Sequence, residues 1–333
     1  KEIILKILQL RLIKLIKKKK IIFKFDIGNR DGLGHYNRSI ILINYLIKKK
    51  FTITICTNTK SEKFFDKKLI KNIFLKKKNE NEDSFINRIS DKFSEHIIFI
   101  DKVYEYKKKD LLNLKKKNQV IIIQNIFKSS KIADKIIFPD IHNKIKYKKN
   151  KIFGGLKYFL LRDEIYKMKN IYQNDNLAVT FGGSDPYNLT TKIFKILKKI
   201  GWGEQTNFYI GKAYSKDQKI NLIKKIKKHK NFHILKFNFK NIIKSRVIIS
   251  SFSSFSYEMA YLKKINFVLL LRKKINIPSE VFFKNTINLG YYSNINTKIF
   301  KNSLYKYWKI DNTRENIKIK NNAKIEYLKI LKS

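Results

Sequence analysis

Cysteine is almost missing from this chain. Cys56 is the single one in 333 residues, which excludes an internal disulfide. Its place in the run Phe51–Cys56 reads as core. Long apolar stretches are missing as well. None approaches the ~20 residues of a membrane-spanning helix. The opening residues, KEIILKILQLRLIKLIKKKK, are broken by lysine, and no small-residue cleavage site follows them, so they do not read as a signal peptide. They read instead as an amphipathic segment for weak contact with a membrane surface or a partner, or as the tail of a preceding domain. With one cysteine and no spanning helix, the expected place is the cytoplasm. No His/Cys/Asp cluster has metal-ligand spacing, so neither a metal nor a cofactor is expected.

Acidic residues are also scarce, 26 against 75 basic ones, for a net charge of +49. Such a balance would ordinarily suggest nucleic acid. Here nearly all of it is lysine, with only eight arginines. The lysines are spread in pairs and triplets along the whole length, a residue usage that an AT-rich genome encodes. That pattern predicts no specific nucleic-acid partner, only weak sticking to polyanions.

What is present is ample for a core, with 43% apolar residues. Buried strands are expected at Ile21–Phe23, Phe51–Cys56, His96–Ile100, Val120–Ile123 and Lys135–Phe138. Helices are expected near Phe64–Phe74, over Ser84–Phe93 and over Leu111–Lys117. A second series of strands follows at Leu177–Phe181, Asn207–Ile210, Phe232–Leu235, Val247–Ser250 and Phe267–Leu271. It has a helix from about Asn188 to Ile200 and a lysine-rich helical tail over Asn316–Lys332. The alternation predicts α/β architecture with parallel sheets.

Three turns carry the candidate chemistry. The first lies in Ile21–Ile41, IIFKFDIGNRDGLGHYNRSII, which reads as strand, glycine loop and helix, with Ile40, Ile41, Ile43, Leu46 and Ile47 on one helix face. Gly32 and Gly34 let the backbone approach a ligand. His35 falls near the first turn of the helix, close to its free N–H groups, and Arg38 follows one turn later. Asp26 lies nine residues before His35. The same stretch also reads as a plain tight turn. The second turn is Gly182-Gly183-Ser184-Asp185-Pro186 between strand and helix, a candidate phosphate cradle or an ordinary βα turn. The third is SSFSSFSYEMA from Ser250 to Ala260. Ser253 and Ser254 suit a diphosphate there and Glu258 a ribose, or else Ser253 is an N-cap and Glu258 a surface residue. Asp101 and Tyr104 stand at a strand end, where sites form. Arg162 sits in Gly154-Gly155-x-x-Tyr158-x-Leu160-Leu161-Arg162-Asp163-Glu164.

Taken together, Gly32-Leu33-Gly34-His35-x-x-Arg38, the Gly154–Glu164 segment and the Gly182–Pro186 turn resemble the nucleotide-sugar hydrolases of the pseudaminic-acid pathway. These are relatives of the spore-coat polysaccharide biosynthesis proteins and, more distantly, of the lipid II glycosyltransferases. The resemblance covers roughly residues 21–290. It implies two Rossmann-like domains facing a cleft, a GT-B-like fold, with an extension at 1–20, an N-terminal domain at 21–165 and a C-terminal nucleotide-binding domain at 175–333. It implies hydrolysis of a UDP-linked diacetamido-trideoxy sugar, and fusion to or partnership with a cytidylyltransferase or another sugar-pathway enzyme. His35 would be the general base, and Asp26 would orient it or the sugar. Arg38 would steady charge, while Gly32, Gly34, Asp101, Tyr104 and Arg162 would line the sugar side. Gly182, Gly183, Ser184, Asp185, Ser253, Ser254 and Glu258 would hold the nucleotide.

The chain departs from that pattern at Lys24, at Gln124-Asn125 where paired aspartates are usual, and at Phe252, Ser253 and Phe255 where glycines and a threonine are usual. It also has Lys273-Lys274 where an Asn-Gln is expected. These departures keep two alternatives open: a glycosyltransferase using a UDP-sugar donor, and a non-catalytic sugar-nucleotide-binding protein.

Overall fold

The computed structural model describes residues 20–26, 34–58, 65–66, 70, 72–102, 104–124, 127–139, 152–168, 171, 173–271, 285–310 and 322–332. Expectations at 1–19, at Gly32, at Asn125, at Lys273-Lys274 and at 316–321 lie outside them. The chain divides into two compact units. The first runs to Asp163 and takes in the helix Ala323–Lys332; the second begins at Glu164. That corrects the expected assignment of the tail to the C-terminal domain. The tail's Tyr327, Leu328 and Leu331 are buried in the same core as Leu42, Leu46 and Phe99 of the first unit.

The first unit is built on a seven-stranded, wholly parallel sheet. Its strands are β1 (Lys20–Lys24), β2 (Ile53–Thr57), β3 (Asn72–Leu75), β4 (His96–Ile100), β5 (Gln119–Ile123), β6 (Lys135–Phe138) and β7 (Ile152–Gly154). They lie in the order β3-β2-β1-β4-β5-β6-β7. Strand β1 is apolar on consecutive residues because both of its faces are covered. Ile21 and Phe23 face helix α1 (Gly34–Lys48), while Ile22 faces α2 (Glu82–Lys92) and α3 (Lys108–Lys117). Cys56 is fully buried on that second face, where burial pushes its thiol up to about 12.

Of the expected helix near Phe64–Phe74, residues 64, 67–69 and 71 lie outside the described residues, and its last part is not helical. Asn72–Leu75 instead forms the edge strand β3, paired to β2. Its Phe74 packs on Phe85 and Phe93, so cross-element contacts override the local pattern.

The second unit holds a six-stranded parallel sheet in the order β10-β9-β8-β11-β12-β13. These strands are β8 (Asn174–Thr180), β9 (Thr206–Ile210), β10 (Phe232–Lys236), β11 (Ser245–Ser251), β12 (Ile265–Leu270) and β13 (Thr286–Tyr291). Helices α5 (Leu189–Lys199) and α6 (Lys216–Ile226) lie over one face together with Thr297–Trp308. The short α4 (Asp163–Lys167) falls where one unit gives way to the other.

In each sheet the strand order reverses once, between β1 and β4 and between β8 and β11. Ligands of open parallel sheets bind outside the carboxyl ends of the strands at such switch points. All three motif turns follow one of these strands: His35 and Arg38 come after β1, Gly182–Asp185 after β8, and Ser253–Glu258 after β11.

Candidate functional site

Helix α1 buries His35, Arg38, Ser39, Leu42, Ile43 and Leu46. That is the i, i+3, i+4, i+7 stripe of a core-facing helix. Of the expected stripe Ile43 and Leu46 are buried, whereas Ile40, Ile41 and Ile47 only pack against the core from its margin. The shift matters chemically, because the stripe that anchors α1 carries His35 and Arg38 at its first turn. Both side chains are thereby turned inward over the carboxyl end of β4.

Asp101 waits there, fully buried, with its backbone N–H donating to the Lys24 carbonyl at 2.9 Å. His35 Nδ1 lies 2.6 Å from Asp101 Oδ1. Arg38 grips the same carboxylate sideways, Nε to Oδ2 at 2.8 Å and Nη2 to Oδ1 at 2.6 Å. Ser39 Oγ adds a long bond of 3.4 Å to Oδ2. Burial works to raise the Asp101 carboxyl, but Arg38 and His35 outweigh it and draw it down to about 2. An ionised carboxylate only accepts, so Nδ1 carries the proton it shares with Asp101. With that proton on Nδ1, the tautomer presents Nε2 as an acceptor, and no described residue occupies it. Arg38 Nη2 also stands 3.2 Å from Nδ1. Both are donors aimed at one oxygen, so this is convergence and not a bond.

Asp101, expected to touch substrate, is thus the orienting partner that was assigned to Asp26. Period two in the strands explains the exchange. Phe23 pairs with Phe99 and Lys24 with Ile100. Asp101 therefore continues the α1 face with Phe99, and Asp26 continues the opposite face with Ile22 and Lys24. Asp26 accepts from Lys24 at 3.0 Å, from Lys102, from Thr57 Oγ1 at 3.2 Å and from the Asn58 N–H at 2.8 Å. Burial opposes its ionisation, yet Lys24 and Lys102 hold it well below the usual carboxylate range. The same two lysines reach Glu82, at 3.4 and 2.8 Å, which closes a buried ring of alternating charges. Tyr104 is turned toward Asp83 at 3.3 Å, and Arg162 is half-buried just ahead of α4. Arg38, expected to steady charge on the substrate, bonds to Asp101 and to Gln124 Oε1.

In the second unit the Gly182–Asp185 turn is shaped by backbone. Gly182 has φ +77°, and Gly183 carries its carbonyl to the Ala213 N–H at 2.9 Å. A Cβ on Gly211 would come within 2.4 Å of the carbonyl oxygens of Gly182 and Gly183. Gly211 is a residue that sequence reading passed over, since nothing local marks it. Asp185, expected at the nucleotide, spends both carboxylate oxygens on the N–H groups of Leu189 and Thr190 at 2.8 Å each, so it caps α5. Ser184 is buried behind it. At the third turn Ser253 is the N-cap of α7 (Ser254–Tyr261), accepting from Phe255 N at 3.3 Å, and its own N–H meets Ser256 Oγ at 3.3 Å. Glu258 is buried, which removes the reading of it as a surface residue.

Among the described residues no group of three His, Cys, Asp or Glu side chains could hold a metal, and no helix is long and apolar enough to cross a membrane.

No protein-family model matches the chain. The uncharacterized protein MJ1062 of Methanocaldococcus jannaschii is 29% identical over 295 residues, 82% of this chain. The chain spans 57% of that relative's length. Among solved structures, the Methanocaldococcus jannaschii UDP-GlcNAc 2-epimerase in complex with UDP-GlcNAc and UDP superposes with a TM-score of 0.63 at 14% identity, covering 94% of this chain and 99% of the other. S. aureus MnaA with UDP gives 0.67 at 10% identity, covering 94% and 97%. Acinetobacter baumannii MurG gives 0.54 at 11% identity, covering 94% and 99%. At such identities the likeness speaks to architecture alone: the chain has the GT-B-like fold, two parallel α/β units in one polypeptide.

Proposed function

We propose that this protein is a sugar-nucleotide enzyme that hydrolyses a UDP-linked diacetamido-trideoxy sugar, with His35 as the general base. The observation that carries the reading is the His35–Asp101 pair at 2.6 Å, clamped by Arg38 at a switch point, with Nε2 left to accept. In this scheme Nε2 takes a proton from water, and the water oxygen attacks the anomeric carbon. The bond from that carbon to the diphosphate breaks, UDP departs with the electron pair, and the imidazolium returns its proton to solvent. Asp101 keeps the ring in the productive tautomer, and Arg38 keeps Asp101 in place. Gly34, beside which an added Cβ would meet open space, leaves room for the sugar. The turns at Gly182–Ser184 and Ser253–Ser254 receive the diphosphate, and Glu258 receives the ribose. The UDP and UDP-GlcNAc held by the epimerase of the same fold support a uridine nucleotide as the ligand class. The product would feed nonulosonic acid or surface polysaccharide synthesis in the cytoplasm.

Transfer to an acceptor sugar is the second reading, favoured by the fold shared with MurG. One assay separates the two. UDP release is followed with and without acceptor sugars, in oxygen-labelled water. Hydrolysis puts the label on the free sugar with no acceptor present, whereas transfer releases UDP only when an acceptor is added. A UDP-sugar recovered with altered configuration and no net UDP would instead mark epimerisation. Replacing His35 by Asn removes the base and keeps the size. Turnover is expected to fall roughly 10²–10⁴-fold with UDP affinity nearly unchanged, and unchanged hydrolysis would take His35 out of the mechanism.

A further inference from the structure

Gln124 directly follows β5, the neighbour of β4 in the sheet, and its backbone stands at φ +63°. A glutamine rarely holds this left-handed conformation, and such strain persists where a side chain is needed at that spot. The backbone N–H is already used, donating to Ile137 O at 2.8 Å. The side chain turns to Arg38, whose Nη1 donates to Gln124 Oε1. That contact settles the amide's orientation. A guanidinium has donors only, so the oxygen must face it and the NH₂ must face away. Gln124 is half-buried, and no described residue takes up its Nε2.

Within the cluster of His35, Arg38, Ser39, Asp101 and Gln124, two polar groups are therefore left over. His35 Nε2 is an acceptor and Gln124 Nε2 a double donor, and Arg38 bridges them. Resting on the sugar-nucleotide reading above, we infer that Gln124 is a specificity-determining residue whose Nε2 donates to a neutral acceptor oxygen on the substrate sugar, the carbonyl of an acetamido group. A donor held in place by Arg38 selects for a carbonyl, because an N–H that the bound sugar shuts off from water and leaves without an acceptor is costly. A hydroxyl, with its own proton to place, satisfies it less well.

The test uses the whole chain and two probes, UDP-N-acetylglucosamine and UDP-glucose, with binding measured by calorimetry. Wild-type protein is expected to prefer the acetamido sugar. Gln124→Glu still accepts from Arg38 but offers the sugar an acceptor in place of a donor. Its added charge acts on both ligands alike, so the ratio of the two affinities isolates the contact, and that ratio is expected to fall at least tenfold. Gln124→Gly suits the left-handed backbone and removes the amide, and it should level the two ligands as well. If both probes bind and the ratio is the same in all three proteins, Gln124 does not select and the inference is overturned. If wild-type protein binds neither probe, the sugar-nucleotide reading falls and takes this inference with it.

Discussion

Asp101 shows how much one carboxylate can organise. It holds His35 by one oxygen and Arg38 by both, and it can do so because it is ionised in a place where burial disfavours charge. Its carboxyl titrates near 2 in the folded chain against 3.8 for an ordinary aspartate. The folded state thus binds the proton less readily than the unfolded state. Stability from this group is complete above pH 4 and is lost as pH falls toward 2. The size of that pH-dependent part is about 2 kcal/mol. Urea unfolding of wild type and Asp101→Asn from pH 7 to pH 2.5 should show the gap between them narrowing only below pH 4. A gap constant across that range would mean the carboxylate is not charged as described. Reading the sequence singled out Asp101, His35 and Arg38 but missed their pairing. It tied His35 to Asp26, a neighbour along the chain, when alternation along β1 and β4 sends the two aspartates to opposite faces.

Elements place these residues through packing that is partly visible in the letters. Helix α1 needs its leucines and isoleucine buried, and the register that buries Leu42, Ile43 and Leu46 also turns His35 and Arg38 inward. The Gly182–Gly183 turn shows the opposite case. Its glycines are conspicuous, but its shape depends on Gly211, which follows β9 and is remote in sequence. Gly211→Ala would drive a methyl into two carbonyl oxygens, and backbone cannot step aside as a side-chain tip can. Overpacking of this kind costs about 1–3 kcal/mol. The expected outcome is a lower melting temperature together with weaker UDP binding, because the turn itself must move. UDP affinity equal to wild type would dissociate this turn from the nucleotide. Asp185 was legible as a turn residue, yet only the positions of the Leu189 and Thr190 N–H groups reveal that it caps α5.

Across the whole molecule, the chain leaves the first unit at Asp163 and its last described helix returns to it. Tyr327 of that helix is fully buried, its ring 6.4 Å from those of Phe99 and Tyr158, and Lys135 Nζ donates to the Ile330 carbonyl at 2.5 Å. Ending the chain after Asn322 uncovers Leu42, Leu46 and Phe99, whose cover by Tyr327, Leu328 and Leu331 is lost. Hydrogen exchange should then show protection lost in β1 and β4 but kept in β8 and β11. Equal protection in both sheets would mean that the returning helix is dispensable.

The sequence by itself determined the α/β alternation, most of the strands, and the three turns after β1, β8 and β11. Those features depend on local periodicity and on glycine, which neighbours along the chain suffice to express. Only the tertiary structure decided that Asn72–Leu75 is a strand, that Asp101 serves His35, that Gln124 meets Arg38, and that the tail belongs to the first unit. Each of these is a contact between residues from about twenty to more than two hundred positions apart, set by sheet register and shared burial, and no local pattern encodes which distant partner a buried charge will meet.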